Sequence, residues 1–440
     1  MQENKERDRF SFINEKIKEK PINKRRLLIY AGYVAGMAVM FGLLASLVFA
    51  WFEPQFADIL HPAGEPVVTI PKDDIEVTEQ EDTEEPTEAV EPGEPPAETE
   101  EQEDTKEPSS VVEPREFTIA DFQKLQNELY AVGREANKFV VTVTGVKSDT
   151  DWFNNAYESR GQASGIIVAD NGQELLILTE RKVISDVQEV YVTFINEVSV
   201  AASMKKYDGN TGIAILSVPR ESVDEETMKA IAVATLGNSL LTTQGMIAIA
   251  VGSPLGTNYS ILTGNITSTN NSISTVDNNY TVFTTDIVGS EGGSGAIINV
   301  EGEVIGLVMQ DYSSAGDEST LTALSISELK RMIEMLSNNQ DIPYIGLELI
   351  TVTNDIANEY DIPKGAYIRE VRMDSPAMAA GLQSGDVITS VDGEIIYNVD
   401  SFENKLLTLT PGETVNIVVE RQSADGYKEI TCTAEIRVLQ

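Results

Sequence analysis

Histidine and cysteine are almost missing from this chain of 440 residues, which has one of each, His61 and Cys432. A lone cysteine excludes an intrachain disulfide and a multi-thiolate metal site. It lies in ITCTAEI, where apolar and polar residues alternate as on a half-buried strand. No set of His, Cys and carboxylate residues has metal-ligand spacing, so neither metal nor cofactor is expected. Basic residues are also scarce, 32 Lys and Arg against 71 Asp and Glu, for a formal net charge of −39. Such a surface repels phosphate backbones and argues against nucleic-acid partners.

Charge is absent altogether from Leu27 to Phe52. A helix over these residues would span about 39 Å, enough to cross a ~30 Å hydrocarbon core with some tilt. Lys16, Lys18, Lys20, Lys24, Arg25 and Arg26 precede the run, and Glu53 and Asp58 follow it. The positive-inside bias therefore predicts a cytoplasmic tail over 1–26, an uncleaved single-pass helix over 27–52, and an extracytoplasmic remainder at the cell membrane. From Glu53 to Glu116 there are 22 Asp or Glu against three basic residues, with many Pro and Thr. Residues 53–115 read as a disordered acidic linker, because such a composition buries too little apolar surface to offset its ordering entropy.

Folded sequence begins near Phe117. Phe122, Leu125, Leu129 and Val132 recur at helical spacing, with Thr118 and Asp121 as capping residues at the start. Short runs rich in Val, Ile, Thr and aromatics follow: FVVTVTGV, ASGIIVA, ELLILT, VYVTFI, GIAILSV, GMIAIAV, YSILTGNITS, TVFTTD, GAIINV and EVIGLVM. Turn strings such as DNG, DGN, GSPLG and DNN separate them. That pattern predicts an all-β unit of barrels or a sandwich, closed by the helix SISELKRMIEML.

The ordered strings GQASGIIVADNGQELLILTERKVISDVQEVYVTF, KKYDGNTGIAILSV, AVATLGNSLLTTQGMIAIAVGSPLGTNYSILTGNITS and TTDIVGSEGGSGAIINVEGEVIGLV resemble the HtrA/DegP branch of the trypsin-like serine proteases. The string PYIGLELI and the run SPAMAAGLQSGDVITSVDGEII resemble the PDZ domain that follows in that family. The resemblance implies a mainly β protein. A trypsin-like double six-stranded β-barrel over 116–338 would precede a PDZ domain over 339–440.

It also implies a broken catalytic triad. In these proteases a histidine takes the serine proton and an aspartate orients the histidine. Here Lys182, in TERKV, occupies the histidine position, and Gly212, in TGIAIL, the aspartate position. GGSGA is one residue shorter than the family's nucleophile string. Ser294 holds the nucleophile position when counted forward from Asp286, and Gly293 when counted back from IIN. The backbone N–H groups of Gly292 and Ser294 are the candidate oxyanion hole.

No histidine lies in the β region, so no Ser-His relay can form there. The expectation is a proteolytically inactive scaffold, chaperone or sensor in protein quality control. Its PDZ domain would bind exposed segments or C-termini of envelope proteins at Tyr344, Ile345, Gly346 and Leu347, whose N–H groups suit a terminal carboxylate. The alternative is an active endopeptidase pairing Ser294 with a non-histidine base such as Lys182. A homotrimer through the protease-like domain is a further implication of the family.

Overall fold

The computed structural model describes residues 32–33, 35–42, 44, 66–73, 117–150, 156–313 and 319–439. Within the apolar run 27–52, residues 32–33, 35–42 and 44 are helical. The rest of that run, the tail 1–26 and most of the linker lie outside the described residues. Among the described residues no helix is long and apolar enough to cross a membrane.

The described residues from Pro66 onward form one compact unit. Helix α1 (Ile119–Ala136) opens with the expected capping box, in which the Thr118 hydroxyl accepts from Asp121 N–H and the Asp121 carboxylate accepts from Thr118 N–H. Its apolar stripe divides. Leu129, Gly133 and Ala136 are buried against the barrels, whereas Phe122 and Leu125, expected on the same packed face, are exposed. Only the C-terminal turns of the helix reach the core.

Two closed antiparallel barrels follow, each of six strands. The first has the order β1-β2-β3-β6-β5-β4. Its strands are β1 (Val140–Thr150), β2 (Ala156–Asp170), β3 (Glu174–Glu180), β4 (Glu189–Thr193), β5 (Ser199–Tyr207) and β6 (Ile213–Pro219). The second has the order β10-β11-β12-β9-β8-β7. It comprises β7 (Ile247–Ser253), β8 (Ser260–Ser274), β9 (Asn279–Val288), β10 (Ser294–Ile298), β11 (Val304–Met309) and β12 (Thr320–Ser325). Unbroken apolar runs such as ELLILT belong to strands covered on both faces, and Leu175, Leu176, Ile177 and Leu178 are all fully buried. Helix α2 (Ile326–Ser337) closes the unit by burying Ile326, Leu329, Ile333 and Leu336.

Residues 66–73, which composition places in the unstructured linker, pack on α2. Val68 exchanges backbone hydrogen bonds with the Asn338 amide, Ile70 N–H donates to Glu334, and Ile70 is buried. Asp73 meets Lys330 at 2.7 Å in a pair almost out of solvent. The physical reason is local. PVVTIP carries no charge, so this short stretch offers apolar surface worth burying inside an otherwise solvated segment.

The C-terminal part has the expected PDZ architecture. The short strand β13 (Pro343–Tyr344) leads into β14 (Leu347–Thr351), α3 (Asn354–Tyr360), β15 (Ala366–Val371), α4 (Pro376–Ala380) and β16 (Val387–Val391). Then come β17 (Glu394–Ile395), α5 (Val399–Leu406), β18 (Thr414–Ser423), β19 (Gly426–Glu435) and β20 (Arg437–Val438). The sheet order is β14-β15-β16-β18-β19, so β14 is an edge strand of its own sheet. A separate core of Leu347, Leu349, Ile368, Ile388, Phe402 and Val419 lies between the sheet and α5.

Candidate functional site

Of the triad positions expected from sequence, Lys182 and Gly212 adjoin strands β3 and β6 of the first barrel, and Ser294 lies on β10 of the second. Strand β3 ends at Glu180, whose side chain is buried, and a single helical turn then presents Lys182. The Lys182 ammonium lies 2.6 Å from Glu180 Oε2, although off the line of an ordinary hydrogen bond, and 3.4 Å from Asp311 Oδ1. Burial pulls the Lys182 pKa down, but the Glu180 contact and the charges of Glu180 and Asp311 outweigh it, and the net shift is upward. Burial raises the Glu180 pKa, with Lys182 offsetting only part of the effect. A lysine acts as a base when its ammonium is destabilised; here it is stabilised.

Gly212 lies in the turn before β6. Its carbonyl accepts from Arg181 N–H at 2.7 Å, so the aspartate and histidine positions of the family are neighbours in space. Its φ is +73°, a left-handed conformation that suits glycine, and nothing lies within 4 Å of where a Cβ would sit. The nearby carboxylate of Asp208 is already committed, accepting from Thr211 N–H and Thr211 Oγ1, both at 2.7 Å.

Ser294 begins β10 and is only 2% exposed. Its Oγ accepts from Ser164 N–H at 2.9 Å, which ties the second barrel to the first. Ser164 in turn donates to Asn258, and Asn258 to Thr142, at 2.7 and 2.5 Å. Among the described residues no side chain accepts the Ser294 hydroxyl proton. At the alternative position, Gly293, a Cβ would sit 2.8 Å from Pro254 O and 2.9 Å from Ser290 O, leaving no room for a side chain. Gly292 is exposed on the loop before it.

The second site, the PDZ loop, is chemically intact and full. Consecutive N–H groups of Ile345, Gly346 and Leu347 converge on one carboxylate, that of Asp277, at 2.8–2.9 Å. Gly346 makes this cradle possible. Its φ is +95°, and a Cβ there would fall 2.3 Å from the Ser375 Cβ. Tyr344, next to the cradle, has its hydroxyl pKa raised by burial and by the charge of Asp277. Asp277 belongs to the turn between β8 and β9, and its own N–H donates to Leu347 O at 2.6 Å. Asn279 Nδ2 and Ser274 Oγ both donate to Leu349 O. Asn278 donates to Glu403 on α5 at 2.6 Å. Asn210 braces the turn through Thr275 Oγ1 and Val276 O. Burial pushes the Asp277 carboxyl up to about 6 against the pull of the three N–H groups, and Asp208 adds to the rise. Burial, then Glu328 and Asp400, push Glu403 up to about 8.

Sequence reasoning missed both Glu180 and Asp277. Glu180 carried a faint signal, a carboxylate two residues before a lysine at the end of an apolar strand. Asp277 appeared only as the first residue of a DNN turn.

Comparison with known proteins agrees with the geometry. The profile of a trypsin-like peptidase domain matches residues 163–307, and that of a PDZ domain matches 343–432. The serine protease Do-like HtrA of Lactobacillus helveticus is 30% identical over 289 residues, 62% of this chain and 68% of the relative. The probable periplasmic serine endoprotease DegP-like of Pseudomonas fulva is 29% identical over 61% of this chain. The chain spans only 54% of that relative's length. Among solved structures, the HtrA-type protease AlgW with tripeptide aligns at a TM-score of 0.52 and 22% identity, covering 70% of this chain and 97% of that one. Two six-stranded barrels, a PDZ domain behind them and these relatives lead to one conclusion: the chain belongs to the HtrA/DegP family of trypsin-like serine proteases with a C-terminal PDZ domain.

Proposed function

We propose that this protein is a proteolytically inactive, membrane-anchored member of its family that works outside the cytoplasm by binding peptides. Its PDZ domain takes exposed segments or C-termini of envelope proteins, and the protein serves as a scaffold, chaperone or sensor in their quality control. The observation that carries the loss of activity is the state of Lys182, an ammonium held by Glu180 and Asp311 where the family has its general base. Gly212 offers no side chain to orient a base, and the Ser294 hydroxyl is turned to a backbone donor. Peptide binding is supported by the three N–H groups at Ile345–Leu347, which form a concave anion site. It is also supported by the similar structures of the HtrA-type protease AlgW, solved with a decapeptide and with a tripeptide. The anchor rests on the uncharged run 27–52 and its basic flank.

The test is casein and peptide turnover by a chain beginning at Pro66, with a fluorophosphonate probe for an activated serine. Starting at Pro66 keeps the segment that packs on α2. No turnover and no labelling are expected. Turnover with labelling that Ser294→Ala abolishes would establish the alternative, an endopeptidase using Ser294 with a non-histidine base.

A further inference from the structure

The groove that would receive a peptide already holds a piece of the same chain. β14 pairs only with β15 in its sheet, which leaves its other edge for an added strand. Along that edge runs the β8–β9 turn. Asp277 N–H donates to Leu347 O, and the side chains of Asn279 and Ser274 donate to Leu349 O. At the head of the edge, where a terminal carboxylate would sit, both Asp277 oxygens take the N–H groups of Ile345, Gly346 and Leu347. On the far wall, Asn278 is held by Glu403 of α5. The turn thus satisfies the head, the edge and the wall of the groove.

We infer that the turn 275–278 is an in-cis ligand of the PDZ groove, with the Asp277 carboxylate standing in for a peptide's C-terminal carboxylate, so that a free C-terminus engages the loop only when the turn leaves. This rests on the peptide-binding reading above and adds its regulation. Two carboxylates cannot share three N–H donors, so binding is a competition. A tethered competitor acts at an effective concentration of order millimolar, so a turn whose own affinity is about micromolar weakens a free peptide by about a thousandfold. The turn is also a bridge to the second barrel, because β8 and β9 lead from it directly. A peptide that displaces Asp277 therefore frees the PDZ domain from the barrel at this point.

The charged and titratable groups around the contact come from every packed element: Asp208 before β6, Tyr344 of β13, Glu403 and Asp400 of α5, Glu328 of α2, and Arg372 after β15. Arg372 is the one cation among them; its charge acts on Tyr344, whereas the one side-chain charge that shifts Asp277 is the carboxylate of Asp208. The cradle's N–H groups are its stabilising partners, and a peptide carboxylate would use the same ones.

The experiment uses the full chain in detergent. The probe is a fluorescent pool of short peptides ending in Val, Leu, Ile or Phe with a free carboxylate, beside its amidated twin. Hydrogen exchange at Ile345, Gly346 and Leu347 is read in parallel. Asp277→Asn keeps the shape of the turn but puts an NH2 donor where one of the two accepting oxygens was, and Asp277→Ala removes both acceptors. Both are expected to speed exchange at the three amides and to tighten free-acid binding at least tenfold, with a smaller gain for the amidated pool, which has no carboxylate for the freed N–H groups. Equal free-acid affinity for wild type and both variants overturns the inference while leaving peptide binding in place. Faster exchange with no peptide bound by any form keeps the contact but removes the peptide-binding function on which the regulation rests. Unchanged exchange in Asp277→Ala overturns the contact itself.

Discussion

The two family sites have been altered in opposite ways. On the proposed reading the protease-like cleft keeps the scaffold without the chemistry: Lys182 stands at the base position, Gly212 at that of the orienting acid, and a buried carboxylate, Glu180, lies against the lysine. In the PDZ loop the chemistry survives intact and the site is occupied: three aligned donors hold Asp277. An acidic side chain is decisive in each place. Glu180 satisfies a cation that catalysis would need neutral, whereas Asp277 satisfies donors that binding would need free. On the proposed reading the first change is built into residue identity, and the second is reversed when the turn moves.

The sharpest break in this comparison comes from the two glycines. Gly346 and Gly212 both have positive φ, but Gly346 is crowded by Ser375 and Gly212 faces open space. Gly346→Ala combines backbone strain with overpacking and is expected to cost about 2–5 kcal/mol of stability. Gly212→Ala carries the strain alone, about 1–2 kcal/mol. Denaturant melts of the chain from Pro66 onward check both. Equal costs would remove the distinction between a cradle that requires glycine and a turn that merely favours it.

Acidity should distinguish the sites next. The Asp277 carboxyl is pushed up to about 6 and Glu403 up to about 8 while the turn is docked. A group whose pKa is raised in one state binds its proton more tightly there, so protonation favours that state. Docking is therefore strongest in acid. It weakens as pH rises from the ordinary carboxylate range through about 6, and weakens again through about 8. The neighbours that face these groups, Asp208, Glu328 and Asp400, are carboxylates and act in the same sense, while Tyr344 ionises only above this range. A peptide's terminal carboxylate is ionised throughout. Free-acid peptides should bind the full chain more tightly at pH 9 than at pH 5, gaining at most about tenfold per pH unit per group. Glu403→Gln should flatten the upper part of the profile, and Asp277→Ala, which releases the turn, should flatten all of it. A flat profile in the wild type would detach the turn from proton binding.

Local patterns carried most of the fold. Runs of strand-type residues and the turn strings between them delimited the strands, ELLILT among them. The identities at 182 and 212 were enough to expect a lost relay. What escaped was non-local or averaged out. Asp277 lies 68 residues from Ile345, and no period or motif connects a DNN turn to a distant carboxylate loop. Residues 66–73 disappeared into the composition of a long acidic stretch, although their own six uncharged residues pack well. The exposed Phe122 and Leu125 show the converse, a helical stripe that matches a core pattern yet meets no core in the described residues.

Restoring the relay sharpens the cleft side further. Lys182→His with Gly212→Asp puts back both missing side chains, but the aspartate must adopt φ near +73°, at a cost of about 1–2 kcal/mol. The Ser294 hydroxyl would still face Ser164 N–H. No hydrolysis of casein above background is expected from the double variant. Turnover in it would show that residue identity alone separates this cleft from an active one.

The smallest effect tests Glu180 itself. Its side chain is 5% exposed against 41% for Lys182, so the pair is half solvated and its attraction is screened. Burial raises the Glu180 pKa, so the carboxylate contributes less stability as pH rises from its ordinary range through the raised value. The Lys182 pKa is raised, so its contribution is full below the ordinary lysine range and fades as pH climbs above it. At neutral pH these partly cancel, and Glu180→Gln should change stability by no more than about 1 kcal/mol in either direction. The pKa of Lys182 is the informative readout. With Glu180 neutral, burial is opposed only by Asp311, and the amine should titrate lower than in the wild type when followed by NMR at Nζ. An unchanged titration would show that Glu180 does not hold the ammonium. A lowered titration accompanied by new peptide turnover that Ser294→Ala abolishes would mean that a single carboxylate keeps a Ser294–Lys182 pair silent, and the cleft would then be restrained in the same way as the PDZ groove.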